Sequence, residues 1–375
     1  KKNNYKYLLL EKGFSKKDLV SGIKILKTGK ITMNKETRNF ENKFAKKLKV
    51  KYAVMTNSGS SANLLATYAA NNPLRVNKFK RGDEAIVPAL CWPTSLWPLH
   101  QAGLKIKFVD VDPKTLNVDA DNLISTISKK TKVIMLVNVL GISSNIKKIC
   151  KIAKKFKIHI VEDACHAILA HDENGKYAGS FGITGCFSMH PLKNLNVWGD
   201  GGVITTNNNR IYKKLLLLRN HGLVNRNECR IYGYNSRLDT IQAAIALEMI
   251  KKIRAITSKR IKNARYLNNN LKGVKSIDLI SEKKGYKSVY HLYQFYCDER
   301  NNLNNYLRKN KIDSKIHYPK PLHLHKSAKN FKFNKGKFPN AEKLSRRVIS
   351  IPVHEFVSKK HLDYMIEKIK AFYKK

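Results

Sequence analysis

The sequence predicts an α/β fold: a mostly parallel seven-stranded sheet between helices, joined to a smaller C-terminal α+β domain. Three observations lead there. Short apolar runs alternate with helical patterns from about Tyr52 to Thr206, the signature of strands joined by crossover helices. Residues able to hold a ligand gather just after the ends of those runs, where open α/β sheets bind ligands. A long helical pattern near 239–270 then leads into a segment with an alternating strand and further helices.

Taken in order, the first helix is expected over 34–48, ahead of the buried strand 52–56 (Tyr52-Ala53-Val54-Met55-Thr56). A small-residue turn, Asn57 to Asn63, opens a helix over 60–71. Strands follow at 84–88, 106–111, 132–139, 157–162, 184–188 and 202–206, with helices at 119–128, 145–155 and 209–219. The helix at 239–270 has Asp239 as a candidate cap and Ile241, Ala244, Ile245, Leu247 and Ile250 at helical spacing. His291 to Cys297 alternates like a strand, and helices are expected near 300–310, 340–348 and 358–373. The expected domains are 1–245, with an N-terminal segment that can pack on the small domain, and 246–375. Asn330 to Asn340, rich in lysine and aromatics, reads as a mobile loop near the mouth of the ligand site.

The chemistry centres on Lys193, which lies between the strand ending at Ser188 and the turn Gly199-Asp200-Gly201-Gly202. An amine held there suits Schiff-base chemistry, attacking an aldehyde and later shuttling a proton. Upstream, the apolar run Ile158 to Val161 closes in Glu162-Asp163. A lysine for the aldehyde and an acid for the pyridinium nitrogen are the pair that pyridoxal phosphate requires. The Asn57–Asn63 turn reads either as a capped helix start or as a phosphate site at a positive helix end. Trp92, after the strand 84–88, could stack on a flat ring or fill a core. Gly233 to Asp239 reads as a contact surface or a cap.

In order along the chain, these segments resemble the DegT/DnrJ/EryC1/StrS family of sugar aminotransferases, fold-type I pyridoxal phosphate enzymes. The resemblance runs from Phe40-Glu41 through Glu162-Asp163-Ala164-Cys165-His166 and Arg219-Asn220-His221-Gly222 to His317-Tyr318-Pro319-Lys320-Pro321-Leu322-His323. It implies that Lys193 carries the cofactor aldehyde and moves the proton, and that Asp163 pairs with the ring nitrogen. It also implies that Trp92 stacks on the ring, that Gly59, Ser60 and Ser188 hold the phosphate, and that His166 contacts the ring hydroxyl. Asn235 would reach the partner's phosphate across a homodimer with shared active sites, and Arg237 the same pocket. Tyr318 and His323 would face the sugar. The implied cofactor is pyridoxal 5'-phosphate, with pyridoxamine 5'-phosphate as the intermediate form. The implied partners are a nucleotide-linked keto sugar and glutamate as amino donor, in surface-polysaccharide or amino-sugar biosynthesis.

Two departures bear on this. Asn138 stands where many relatives have a histidine. A branch with histidine in place of the lysine removes an oxygen from a keto sugar instead, and Lys193 argues against that branch. The Gly199-Asp200-Gly201-Gly202 turn resembles relatives acting at sugar C3, or on cyclitols, more than the Gly-Glu-Gly-Gly turn of C4 enzymes.

Composition narrows the alternatives. Lys+Arg outnumber Asp+Glu 73 to 27, a net charge of +46, which raises nucleic-acid binding as a rival. The lysines are spread over nearly every helix, in pairs such as Lys46-Lys47, Lys129-Lys130, Lys154-Lys155 and Lys359-Lys360. No recognition helix, zinc pattern or RNA-binding motif accompanies them. They therefore read as solvated surface. The six cysteines have no metal-ligand spacing, and Cys91, Cys165 and Cys186 read as buried free thiols. His317, His323 and His325 lie on a proline-containing loop without carboxylates, so no metal is expected. No apolar run is long enough to span a bilayer. The start, Lys1-Lys2-Asn3-Asn4, lacks a signal-peptide hydrophobic region, and the expected location is the cytoplasm.

Overall fold

A computed structural model describes residues 5–10, 14–71, 79–139, 141 and 146–374. The opening residues 1–4 and Asn145, the expected first residue of one helix, lie outside the described residues.

The large sheet is built from β1 (Tyr52–Thr56), β2 (Glu84–Pro88), β3 (Lys105–Val109), β4 (Thr131–Val137), β5 (His159–Asp163), β6 (Thr184–Ser188) and β7 (Gly202–Thr206). Its order is β1-β7-β6-β5-β4-β2-β3. The pairs from β3 to β6 are parallel, and β7 runs antiparallel to both of its neighbours. Alternate residues of a strand face opposite sides, and both sides are buried here. Ile134 and Leu136 join one core, while Val133, Met135 and Val137 join the other. Continuous apolar runs are what a sheet covered on both faces demands.

The helices α2 (Lys35–Leu48), α3 (Gly59–Ala70), α4 (Trp97–Gln101), α5 (Ala120–Thr126), α6 (Ile146–Lys155) and α7 (Asn209–Arg219) flank the sheet, while α1 (Lys16–Thr28) packs on the long helix that follows α7. Leu123, Ile146, Ile149 and Ala153 pack into the first core, Leu65, Leu99, Leu215 and Leu218 into the second. Glu41 of α2 accepts the Met55 N–H of β1 at 2.8 Å and pairs with Arg219 of α7, a buried tie between three elements.

The helix α8 (Thr240–Leu271) runs through the expected 245/246 division without a break. Ala243 to Ile256 enter the first sheet core, whereas Ala264, Leu267 and Leu271 enter a third. That third core covers a small antiparallel sheet of order β10-β9-β8, made of β8 (Ile277–Leu279), β9 (Tyr293–Cys297) and β10 (Val348–Ile351). It also receives α9 (Arg300–Lys309), α11 (Lys359–Tyr373) and Tyr7 from the N-terminal segment, which bridges to Ile312. α10 (Pro339–Arg347) packs on the second core instead.

The segment 330–340 differs from expectation. Its aromatics turn inward: Phe331, Phe333 and Phe338 surround Phe108, with ring centroids 5.3–6.0 Å apart. One buried ring, Phe338, and two partly buried ones hold down what its lysines made look like a free loop. Of the lysine pairs read as solvated, Lys47 is half-buried and the others are exposed. Among the described residues, no helix is long and apolar enough to cross a membrane.

Candidate active site

The ends of β4, β5 and β6, the start of α3 and the loops after β2 and β6 enclose a cavity of about 320 Å³. Lys193 enters it from the β6–β7 connection. That turn is pinned on several sides: Lys193 N–H donates to His190 O at 2.8 Å, Asn196 Nδ2 to Lys193 O at 3.1 Å, and Asn194 Nδ2 to Val289 O at 2.8 Å. Burial pushes the Lys193 amine below the ordinary lysine value, with Cys165 and Asp163 working the other way. Lowering an amine enlarges its neutral, nucleophilic fraction.

Asp163 ends β5 and is 5 % exposed. Its Oδ2 accepts from Asn63 Nδ2 at 2.9 Å and Ser95 Oγ at 2.7 Å, and its Oδ1 from the Cys165 N–H at 3.1 Å. Opposite, Ser58 caps α3 by accepting the Ser61 N–H at 3.0 Å. The first-turn N–H groups of Gly59 and Ser60 are then left for an anion. A Cβ on Gly59 would stand 2.7 Å from the Ser188 Cβ, so only glycine lets helix and strand end approach this closely.

The remaining wall is aromatic and imidazole. Trp92 is 53 % exposed and lies 6.0 Å from the Tyr318 ring. Tyr318 Oη and His166 Nε2 are 3.3 Å apart, and His166 stacks on His291 at 3.8 Å. Burial, reinforced by the Lys193 charge, pushes His166 and His291 well below the usual histidine value, and His317 down to about 4. The three imidazoles are neutral at pH 7.

These residues fit pyridoxal phosphate. An amine, an enclosed carboxylate, a helix start shaped by a glycine and an exposed indole face line one cavity of suitable size. The chemistry of the donors matches the aldehyde, the ring nitrogen, the phosphate and the ring face in turn.

Of the residues expected from sequence, Gly59, Ser60, Trp92, Asp163, His166, Ser188, Lys193 and Tyr318 come together in this cavity. Asn235 is exposed and does not line it, and Arg237 Nε donates to Asn235 Oδ1 at 3.1 Å. His323, expected to face the sugar, does not reach the cavity. It is buried at 3.1 Å from Glu342 Oε1 and packed on Phe338, because the apolar cluster around Phe108 draws it inward. Asn138 likewise faces Glu162, donating to its Oε2 at 3.2 Å. Sequence reasoning missed Asn63, Ser95 and His291. Asn63 and Ser95 stand 100 and 68 positions from Asp163, and no local pattern encodes such pairings.

A family model for the DegT/DnrJ/EryC1/StrS aminotransferase family matches residues 15–370. GDP-4-keto-6-deoxy-D-mannose 3-dehydratase of Yersinia pseudotuberculosis is 37% identical over 67% of this chain and 68% of its own. The dTDP-3-amino-3,6-dideoxy-alpha-D-galactopyranose transaminase of Aneurinibacillus thermoaerophilus is 31% identical over 93% of both chains. Among solved structures, the E. coli GDP-4-keto-6-deoxy-D-mannose-3-dehydratase with bound hydrated pyridoxal phosphate superposes with a TM-score of 0.89, at 31% identity, covering 97% of this chain and 99% of that one. With the matched segment taking in the sheet, the Lys193 turn and the small domain, the chain belongs to the DegT/DnrJ/EryC1/StrS aminotransferase family.

Proposed function

We propose that the chain is a pyridoxal 5'-phosphate-dependent sugar aminotransferase. It takes an amino group from glutamate and places it on the keto carbon of a nucleotide-linked sugar, at C3, for amino-sugar or surface-polysaccharide synthesis in the cytoplasm. The observation that carries this is the Lys193 amine sharing a cavity with the enclosed Asp163 carboxylate and the α3 start. The bound cofactor would supply an electron sink for the carbanion formed on removing a proton next to nitrogen.

The rest is done by the chain. Lys193 Nζ takes the proton from the donor α-carbon and returns one to the former keto carbon in the second half-reaction. Asp163 holds the ring-nitrogen proton, Trp92 covers one ring face, and Gly59, Ser60 and Ser188 seat the phosphate. His166 faces the ring hydroxyl and Tyr318 the sugar. Asn235, exposed, and Arg237, partly buried, lie outside their own cavity and would serve the partner's site in a homodimer. The C3 position rests on the Gly199-Asp200-Gly201-Gly202 turn and on the 3-amino product in the name of the Aneurinibacillus relative.

The 37% identity to a 3-dehydratase favours a second reading, removal of the sugar 3-hydroxyl. The retained amine of Lys193 supports amination. Incubating the cofactor-loaded protein with glutamate and a panel of keto nucleotide sugars distinguishes the two by product: an amino sugar, or a deoxy keto sugar. Lys193→Ala should lower turnover by roughly 10⁴-fold or more, since one group serves as both acid and base, while circular dichroism stays unchanged. An active Lys193→Ala enzyme overturns the mechanism.

A further inference from the structure

We propose that Asn63 and Ser95 are positioning residues that fix where the proton sits in the Asp163–cofactor pair. The proposal rests on the reading of Asp163 as partner of the ring nitrogen. Among the described residues three hydrogen-bond donors converge on this carboxylate and no salt bridge reaches it. Asn63 Nδ2 and Ser95 Oγ both bond Oδ2, at 2.9 and 2.7 Å, and the Cys165 N–H bonds Oδ1 at 3.1 Å. Oδ2 thereby receives two side-chain donors and Oδ1 one backbone donor, on a carboxylate that lines the cavity.

The donors come from three separate elements: Asn63 from the second turn of α3, Ser95 from the turn before α4, and Cys165 from the loop after β5. Asn63 and Ser95 are 1 % and 0 % exposed. The Asn63 amide is fixed in orientation, because its nitrogen also points at Thr94 O, 3.4 Å away, while its oxygen is buried with no partner among the described residues. An amide buried with one unmet acceptor is costly. That cost is accepted here to aim an N–H at the carboxylate.

What the donors accomplish follows from the chemistry of a buried acid–base pair. One proton would be shared between the ring nitrogen and the Asp163 carboxylate, and two arrangements have the same net charge: pyridinium with carboxylate, or neutral pyridine with carboxylic acid. In a medium of low dielectric the neutral arrangement competes strongly, because burial penalises both charges. Hydrogen bonds donated to the carboxylate stabilise its charged form. Ser95 and Asn63 therefore hold the proton on nitrogen, the state in which the ring withdraws electrons.

The test reads the proton directly. The full-length protein is reconstituted with pyridoxal phosphate labelled with ¹⁵N in the ring, and the nitrogen resonance is recorded for wild type, Ser95→Ala, Asn63→Leu, the double variant and Asp163→Asn. Wild type should give a pyridinium signal. Each single variant should move the resonance toward neutral pyridine, corresponding to about a tenfold or larger change in the proton ratio per charged hydrogen bond lost. The double variant should move further, and Ser95→Thr, which keeps the hydroxyl, should stay with wild type. A double variant that binds cofactor with an unshifted pyridinium signal overturns the proposal. If the double variant does not fold, an unshifted signal in both single variants does the same. Asp163→Asn separates the two levels of the argument. If its ring nitrogen becomes neutral while the Ser95 and Asn63 variants stay put, only the role of the donors fails. If its nitrogen remains protonated, the Asp163 assignment itself fails.

Discussion

The imidazoles around Lys193 show how burial alone can set the state of a site. His317 donates to or accepts from Ser350 Oγ through its Nδ1, at 3.0 Å, and its titration is pushed from 6.5 to about 4 by burial, with Lys193 and Lys315 adding to the effect. The folded chain therefore refuses a proton that the unfolded chain takes up below pH 6.5. Stability is fully present above that value and is lost as pH falls toward 4, by about 3 kcal/mol for this residue. His166 and His291 shift in the same direction. Urea midpoints measured across this range should fall more steeply for wild type than for His317→Gln, and equal slopes would contradict the assignment. At this scale the sequence was informative where a residue sits in a motif, as with Lys193 and Asp163. It was silent on Asn63, Ser95 and His291, whose partners are brought to them only by folding.

Among elements, strands were read well and the ends of helices less well. The runs 52–56, 84–88, 184–188 and 202–206 coincide with β1, β2, β6 and β7, because each is an apolar run bounded by turn residues. The helix α1 escaped notice, although Asp18 accepts the Ser15 N–H at 2.6 Å in the manner of a capping box and pairs with Lys252. Its face toward solvent carries Leu19, Val20, Ile23 and Leu26, which blurs the amphipathic pattern. β10 was not foreseen, and the helix expected over 340–348 overlaps it only at Val348, since the strand follows directly on α10. The contact of α3 with the end of β6 yields a sharper expectation. In Gly59→Ala the new methyl would meet Ser188 Cβ at 2.7 Å and Ser188 Cα at 3.1 Å. The helix start must then retreat from the phosphate seat, an overpacking cost of about 1–3 kcal/mol. Pyridoxal phosphate affinity, followed by fluorescence titration, should weaken roughly tenfold, at about 1.4 kcal/mol per decade. Unchanged affinity would show that the phosphate binds elsewhere.

At the scale of the whole molecule, the fold class and the two-part organisation were legible, because the strand–helix alternation stops where the sheet ends. α8 shows one helical pattern while serving two cores, and the expected 245/246 division falls within it. A single chain does not account for Asn235 and Arg237, which lie outside the cavity they were expected to complete. If the sites are shared, Lys193→Ala and Asn235→Ala should each be inactive alone. Mixed and allowed to exchange subunits, they should regain up to about a quarter of wild-type turnover, because half of the dimers are mixed and each mixed dimer assembles one intact site. No recovery after verified exchange would assign each cavity to its own chain.

The 32-residue α8 has a mechanical consequence. At 1.5 Å per residue it is a rod of about 48 Å, embedded at one end in the sheet and at the other in the small antiparallel layer. Swinging those two bodies apart would mean bending or snapping that rod, and no proline interrupts it to serve as a weak point. Access for a bulky reactant must then come from the rearrangement of surface connections around the opening, with the two bodies keeping a fixed spacing throughout the catalytic cycle.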